Sequence, residues 1–158
     1  EIKKIEVGLN PCFIKTINDG FVGLIVKGNY NDVPCSFVTI NTETDEIEKK
    51  NNIEMSNFDV IGNNILYVNY DWISMSASIK TFDYSSSTIN ASNFIKTDGI
   101  LGQFTTPYGV NVSNSNNEVY ITDATSYTAS GKIFVFNTDG NFKYSFSTSN
   151  IPSVVIPR

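Results

Sequence analysis

A pattern of four short strand-forming runs recurs three times along this chain with a period of about 46 residues, so one supersecondary unit is used repeatedly. The last copy is the clearest. It runs through Pro107-Tyr108-Gly109-Val110-Asn111-Val112, a turn at Asn114-Ser115-Asn116-Asn117, and Glu118-Val119-Tyr120-Ile121-Thr122-Asp123. After a loop come Gly131-Lys132-Ile133-Phe134-Val135-Phe136-Asn137, a turn at Thr138-Asp139-Gly140, and Asn141-Phe142-Lys143-Tyr144-Ser145-Phe146. Each turn falls where two alternating runs meet, as antiparallel hairpins require. The middle copy has Phe58 to Ile61, a turn at Gly62-Asn63-Asn64, Ile65 to Asn69, Ser78 to Asp83, a Ser-rich turn, and Asn93-Phe94-Ile95-Lys96. Matching Leu66-Tyr67-Val68 to Val119-Tyr120-Ile121 sets the register between these two copies. The first copy has Pro11 to Ile17, the turn Asn18-Asp19-Gly20, Phe21 to Lys27, Ser36 to Asn41, a turn at residues 42–45, and Glu46 to Lys49.

Four antiparallel strands per repeat at this period predict an all-β chain built as blades of a β-propeller. The expected blades cover about 8–53, 54–103 and 104–150 of a single partial propeller domain spanning 1–158. Residues 1–7 read as an outer strand of a preceding, incomplete blade, and residues 151–156 as an inner strand opening a following one. The chain is therefore expected to be a fragment, processed or truncated, of a longer ring. A β-sandwich also has many short strands at regular spacing, and the internal repeat is what favours the propeller over it. No window carries a sustained 3.6-residue apolar period, so helices are not expected.

Composition limits the function classes. Charged residues make up 17% of the chain and apolar residues 41%, the profile of short strands joined by polar turns around a real core. The net charge is -5 and the lysines are scattered, so no positive field attracts nucleic acid. No apolar run approaches the roughly 18 residues of a membrane-spanning helix. Histidine is absent, which removes the usual general base and any Ser-His-Asp or Cys-His arrangement within the chain. The spacing of Cys12 and Cys35 matches no zinc pattern, and their expected positions on strands one and three of one blade set them about 10 Å apart, too far for a disulfide. Free thiols are expected. No metal and no cofactor are expected; Asp32, Asp71 and Asp123 could supply oxygens to calcium, but no EF-hand spacing accompanies them.

Asp71 and Asp123, each at the end of a second strand, are the best placed of the 16 acids for paired-carboxylate glycoside chemistry. Acids at strand ends more often cap turns. Binding is the stronger expectation. In a four-stranded blade the loops from strand two to three and from blade to blade emerge on one face, which would collect Tyr30 and Asp32, then Tyr70, Asp71 and Trp72, then Phe104, Asp123 and Tyr127, with Ser126 and Tyr108 nearby. Aromatic faces beside carboxylate oxygens suit sugars or a flat polar ligand. Tyr108, beside a proline at a strand start, is expected to pack instead. The opposite face carries tight turns whose Asn, Asp and Gly residues serve backbone geometry.

The stretch from Thr106 through Asp123-Ala124 and from Gly131 to Gly140 resembles a blade of the YncE-like seven-bladed propellers, abundant as surface or secreted lipoproteins in Bacteroidetes. The resemblance is specific in the last blade and loose in the first two. It implies a seven-bladed parent, a location in the periplasm or on the outer-membrane surface, and a lipid anchor on a preceding segment. Members of that class bind corrinoids or serve glycan utilisation. With that origin, the sequons Asn90-Ala91-Ser92 and Asn111-Val112-Ser113 are incidental.

The function expected from these readings is a non-catalytic extracytoplasmic scaffold that captures a glycan, a corrinoid-like ligand or a partner protein. The alternatives are a glycan-active or lyase-type enzyme and a purely structural interaction module. Three blades would leave apolar sheet faces bare, lined by Phe13, Ile14, Ile133, Phe134 and Val135. Association with a second copy or with a missing half of the ring is therefore expected.

Overall fold

The structure, a computed structural model, describes residues 3–156. Over these residues the chain is all-β, in three four-stranded antiparallel sheets with strand orders β1-β2-β3-β4, β5-β6-β7-β8 and β9-β10-β11-β12. One 3₁₀ turn, Leu101–Gln103, lies between the second and third sheets. The chain divides into two compact units, Glu1–Met55 and Ser56–Arg158.

The first unit holds β1 (Pro11–Asn18), β2 (Phe21–Val26), β3 (Ser36–Asn41) and β4 (Glu46–Asn51). Alternation places Leu24, Val26, Val38 and Ile40 on one apolar face, where Ile5 and Val7 cover them. Residues 3–7 were expected to form an outer strand, but they have no ladder and act as a cover; residues 1 and 2 lie outside the described residues. Between β2 and β3 the loop closes tightly. Gly28 has φ +69°, and a Cβ there would overlap the Val33 carbonyl, so only glycine fits. The Asn29 side chain accepts the N–H groups of Asn31 and Val33 at 3.1 and 2.9 Å. Both Cys12 and Cys35 are free thiols.

The second unit holds β5 (Asn57–Ile61), β6 (Asn64–Asp71), β7 (Ser76–Asp83) and β8 (Thr88–Ile89), then β9 (Pro107–Ser113), β10 (Glu118–Asp123), β11 (Lys132–Asn137) and β12 (Phe142–Ser147). Its core is the seam between the two sheets. Leu66, Val68 and Ile79 of the earlier sheet meet Val110, Val119, Ile121, Phe134 and Phe136 of the later one. Each such side chain contributes about 1.5 to 3 kcal/mol by leaving water. Polar side chains on β5 fasten the seam: Asn57 accepts the Val110 N–H at 3.2 Å and Asp59 accepts the Val112 N–H at 2.8 Å.

This seam corrects the register expected between the two repeats. Leu66 points toward the following sheet, whereas Val119 points back toward the preceding one. The residue of the later sheet that points forward is Tyr120, which packs with Ile133 and Val135 against Val155. Leu66 therefore corresponds to Tyr120 and Asp59 to Asn111, a slip of one residue that exchanges the two faces. Asn111 confirms this by repeating the Asp59 bond, accepting the N–H of Val155 at 2.9 Å.

Three further expectations fail. The outer strand of the second sheet is the two-residue β8, inside the expected Ser-rich turn, and Asn93 to Lys96 is not a strand. Phe94 and Ile95 are both buried in the core, which alternation in an edge strand forbids. Residues 151–156 do not form a strand ladder, although they lie along β9 as β9 lies along β5. Nor are three of the open-face residues bare: Phe134 is buried in the seam, and Ile133 and Val135 lie beneath Val155. Ile14 is exposed, as expected.

Candidate aromatic binding site

The tip of the β6–β7 hairpin is built by Asp71. Its carboxylate accepts the N–H groups of Ile73 and Ser74 at 2.8 and 3.2 Å and the Ser74 hydroxyl at 2.7 Å. This Asx turn lifts Trp72 and Ile73 into solvent at 60% and 97% exposure. Tyr70, one position back on the inward face, is buried beneath the indole edge, with ring centroids 4.8 Å apart and planes at 76°.

The opposite side of the site comes from the loop after β10. Asp123, 1% exposed, ties two segments together: its oxygens accept the N–H groups of Thr105 at 2.6 Å, Thr106 at 3.0 Å and Thr125 at 2.6 Å. The chain then turns through left-handed Thr125 and Tyr127, with φ +51° and +64°. Tyr127 comes to lie nearly parallel to Trp72, centroids 6.2 Å apart and planes at 21°, and Tyr108 meets Tyr127 edge-on at 6.1 Å. Four rings, from β6, the β6–β7 turn, β9 and the loop after β10, thus form one partly exposed platform. Burial pushes the Tyr127 phenol above the usual tyrosine range, and the neighbouring Tyr108, Tyr70 and Asp123 add to the effect, so it remains a neutral hydrogen-bonding group well into alkaline solution.

The residues singled out in the sequence therefore separate. Tyr70, Asp71, Trp72 and Tyr127 converge on the platform. Asp123 is consumed by backbone donors and positions the platform from within. Phe104 is a core residue, its ring 4.2 Å from Phe134, so its expected place on the binding face goes to Tyr108. Alternation along β9 carries the signal for Tyr108, since Pro107 and Gly109 are buried and the residue between them must face out. Tyr30 and Asp32 belong to the first unit, where both are exposed on the Gly28–Pro34 loop and Asp32 accepts from the Asn29 amide at 2.6 Å. That loop borders a cavity of about 320 Å³ lined by Lys27, Tyr30, Asn31, Cys35 and Glu54.

Hydrogen-bonded carboxylates give the second unit a defined acid response. The hydroxyl and N–H of Ser74 and the N–H of Ile73 hold Asp71 below the usual carboxylate range; Ser85 and Ser86 hold Asp83 lower still. Lys143 and Tyr120 do the same for Glu118. A folded-state pKa below the unfolded value supplies stability that is present above about pH 4 and lost as pH falls through the lowered values. Thermal melts should therefore hold steady from pH 7 to about 5 and fall progressively below about 4; a melting temperature unchanged between pH 4 and 2 would contradict these bonds.

No known protein family pattern matches the chain, and no curated protein matches it in sequence. Among solved structures it is similar to the β-propeller domain of the Trilobed protease from Pyrococcus furiosus, a domain described as having an open velcro topology. The TM-score is 0.58 at 11% identity, over 92% of this chain and 45% of that one. The chain thus spans just under half the length of that neighbour. At this identity the likeness shows the propeller fold alone and assigns neither the YncE-like family nor a bacterial group; the chain is a run of propeller-type sheets carrying an aromatic platform.

Proposed function

We propose that the chain is a non-catalytic binding scaffold and that the platform of Trp72 and Tyr127 captures a glycan. The observation behind this reading is an indole left 60% exposed yet held in place by rings on two sides. An apolar side chain fixed in solvent is poised to bury a ligand, and the C–H face of a sugar ring suits a flat aromatic surface. Asp71 and Ser74 at the rim offer oxygens to hydroxyl groups, since a carboxylate has about four lone-pair sites and the turn occupies only part of them. A corrinoid or partner protein would meet the same rings, and capture of free glycans fits a place outside the cytoplasm.

The paired-carboxylate alternative finds less support. It needs one carboxyl protonated near neutral pH, whereas Asp71 is pushed the opposite way and both oxygens of Asp123 are held by N–H donors. A glycan array followed by calorimetry on the best ligand tests the proposal. Trp72→Ala and Tyr127→Ala should each weaken binding about tenfold or more, consistent with the roughly 0.5 to 1.5 kcal/mol of a ring pair plus lost burial. Binding untouched by both changes would move the site elsewhere, and turnover of a bound glycan would favour the enzyme.

A further inference from the structure

The three sheets protect their outer edges unequally. An edge strand presents unpaired N–H and C=O groups, and proteins guard such edges with charge or by keeping the strand short. In β4, Glu46, Glu48, Lys49 and Lys50 supply the charge, and β8 is only two residues long. By contrast β12, Phe142–Ser147, is six residues long and exposed along most of its length. Its single charge, Lys143, is already paired with Glu118 on the adjoining part of the sheet. Tyr144 and Phe146 stack on each other at 6.3 Å and 24°, with 46% and 45% of their surfaces in solvent.

We propose that β12 is an association edge that pairs antiparallel with β12 of a second copy of this chain. The ladder fixes the register. Thr148 donates inward to the Gly131 carbonyl, so by alternation Phe146 and Tyr144 bond inward while Ser145 and Ser147 turn their backbone groups outward; a bulge opposite Phe136 interrupts the alternation at Lys143, and the Phe142 N–H beyond it is held by the Thr97 hydroxyl at 2.9 Å. A two-fold axis through Ser145 then brings Ser145 into a hydrogen-bonded pair with its own copy and sets the bulged Lys143 opposite Ser147. Tyr144 of each chain faces Phe146 of the other in the closer, non-hydrogen-bonded pairs, where aromatic side chains interact best. No two lysines oppose one another, and each lysine retains its Glu118 partner, so this edge tolerates a copy of itself as the charged β4 does not. The pairing is isologous and closes at two chains.

Light scattering on the purified 17.5 kDa chain tests this, with an expected mass of two copies at tens of micromolar concentration. Ser145→Pro removes an outward N–H that no strand among the described residues uses, which edge strands accept. It should give a folded monomer, with the all-β circular dichroism spectrum retained. Tyr144→Lys with Phe146→Lys should do the same by placing charge where the rings would meet. A wild-type chain that stays monomeric up to about 100 μM, or a dimer that survives both variants, would overturn the proposal; should Ser145→Pro unfold, the lysine pair decides.

Discussion

Replacing Asp123 with alanine is expected to cost about 3 to 6 kcal/mol, because three backbone N–H groups lose their acceptor: a buried unsatisfied donor costs about 1 to 3 kcal/mol, and the two on Thr105 and Thr125, being only partly buried, fall toward the low end. Those donors belong to Thr105, Thr106 and Thr125, so the same change frees the segments that carry Tyr108 and Tyr127. Against a total stability of roughly 5 to 15 kcal/mol, such a loss unfolds much of the population at moderate temperature. Urea denaturation checks it through the shift in midpoint. Asp123→Asn keeps one carbonyl acceptor and should fall between wild type and alanine. A midpoint unmoved by Asp123→Ala would mean that the carboxylate is not the tie between these loops, and would return Asp123 to the candidates for ligand contact.

Phe104→Ala carries the second large effect, about 3 kcal/mol, near the lower end of the roughly 3 to 5 kcal/mol measured for removing a buried phenylalanine. The lower end applies because Phe104 is 8% exposed and part of its surface lies outside the seam. Its ring lies against Phe134, which is wholly buried between the two sheets of the second unit, so the cavity opens inside the core. Thermal or urea unfolding measures it. A stability loss below about 1 kcal/mol together with lost ligand binding would restore Phe104 to the binding face, since a residue contributing only to a surface site leaves the core unchanged.

These two residues also show what the sequence could and could not reveal. Alternating runs and Asn- or Gly-containing turns located most strands, because both signals are local. The register between repeats was not local: Tyr67 and Tyr120 look equivalent in sequence, and only the direction each faces across the seam separates them. The outer strand of the second sheet failed for a related reason. Phe94 and Ile95 score as strand formers, yet their neighbours in space pull both into the core. At the platform, Trp72 and Tyr127 were legible as aromatics on loops between strands. The roles of Asp123, Phe104 and Tyr108 depended on which backbone groups and rings lie within reach, and those come from segments up to 30 positions away in the chain.

Trp72 is the chain's single tryptophan, so its fluorescence reports the platform without interference. A titration with the glycans selected by the array, following emission from Trp72, tests the central claim directly. The expected result is a saturable blue shift or quench as the exposed indole is covered, abolished or weakened about tenfold in Tyr127→Ala. Calorimetrically detected binding that leaves Trp72 emission unchanged at saturation would contradict it, because the ligand would then be held away from the four rings.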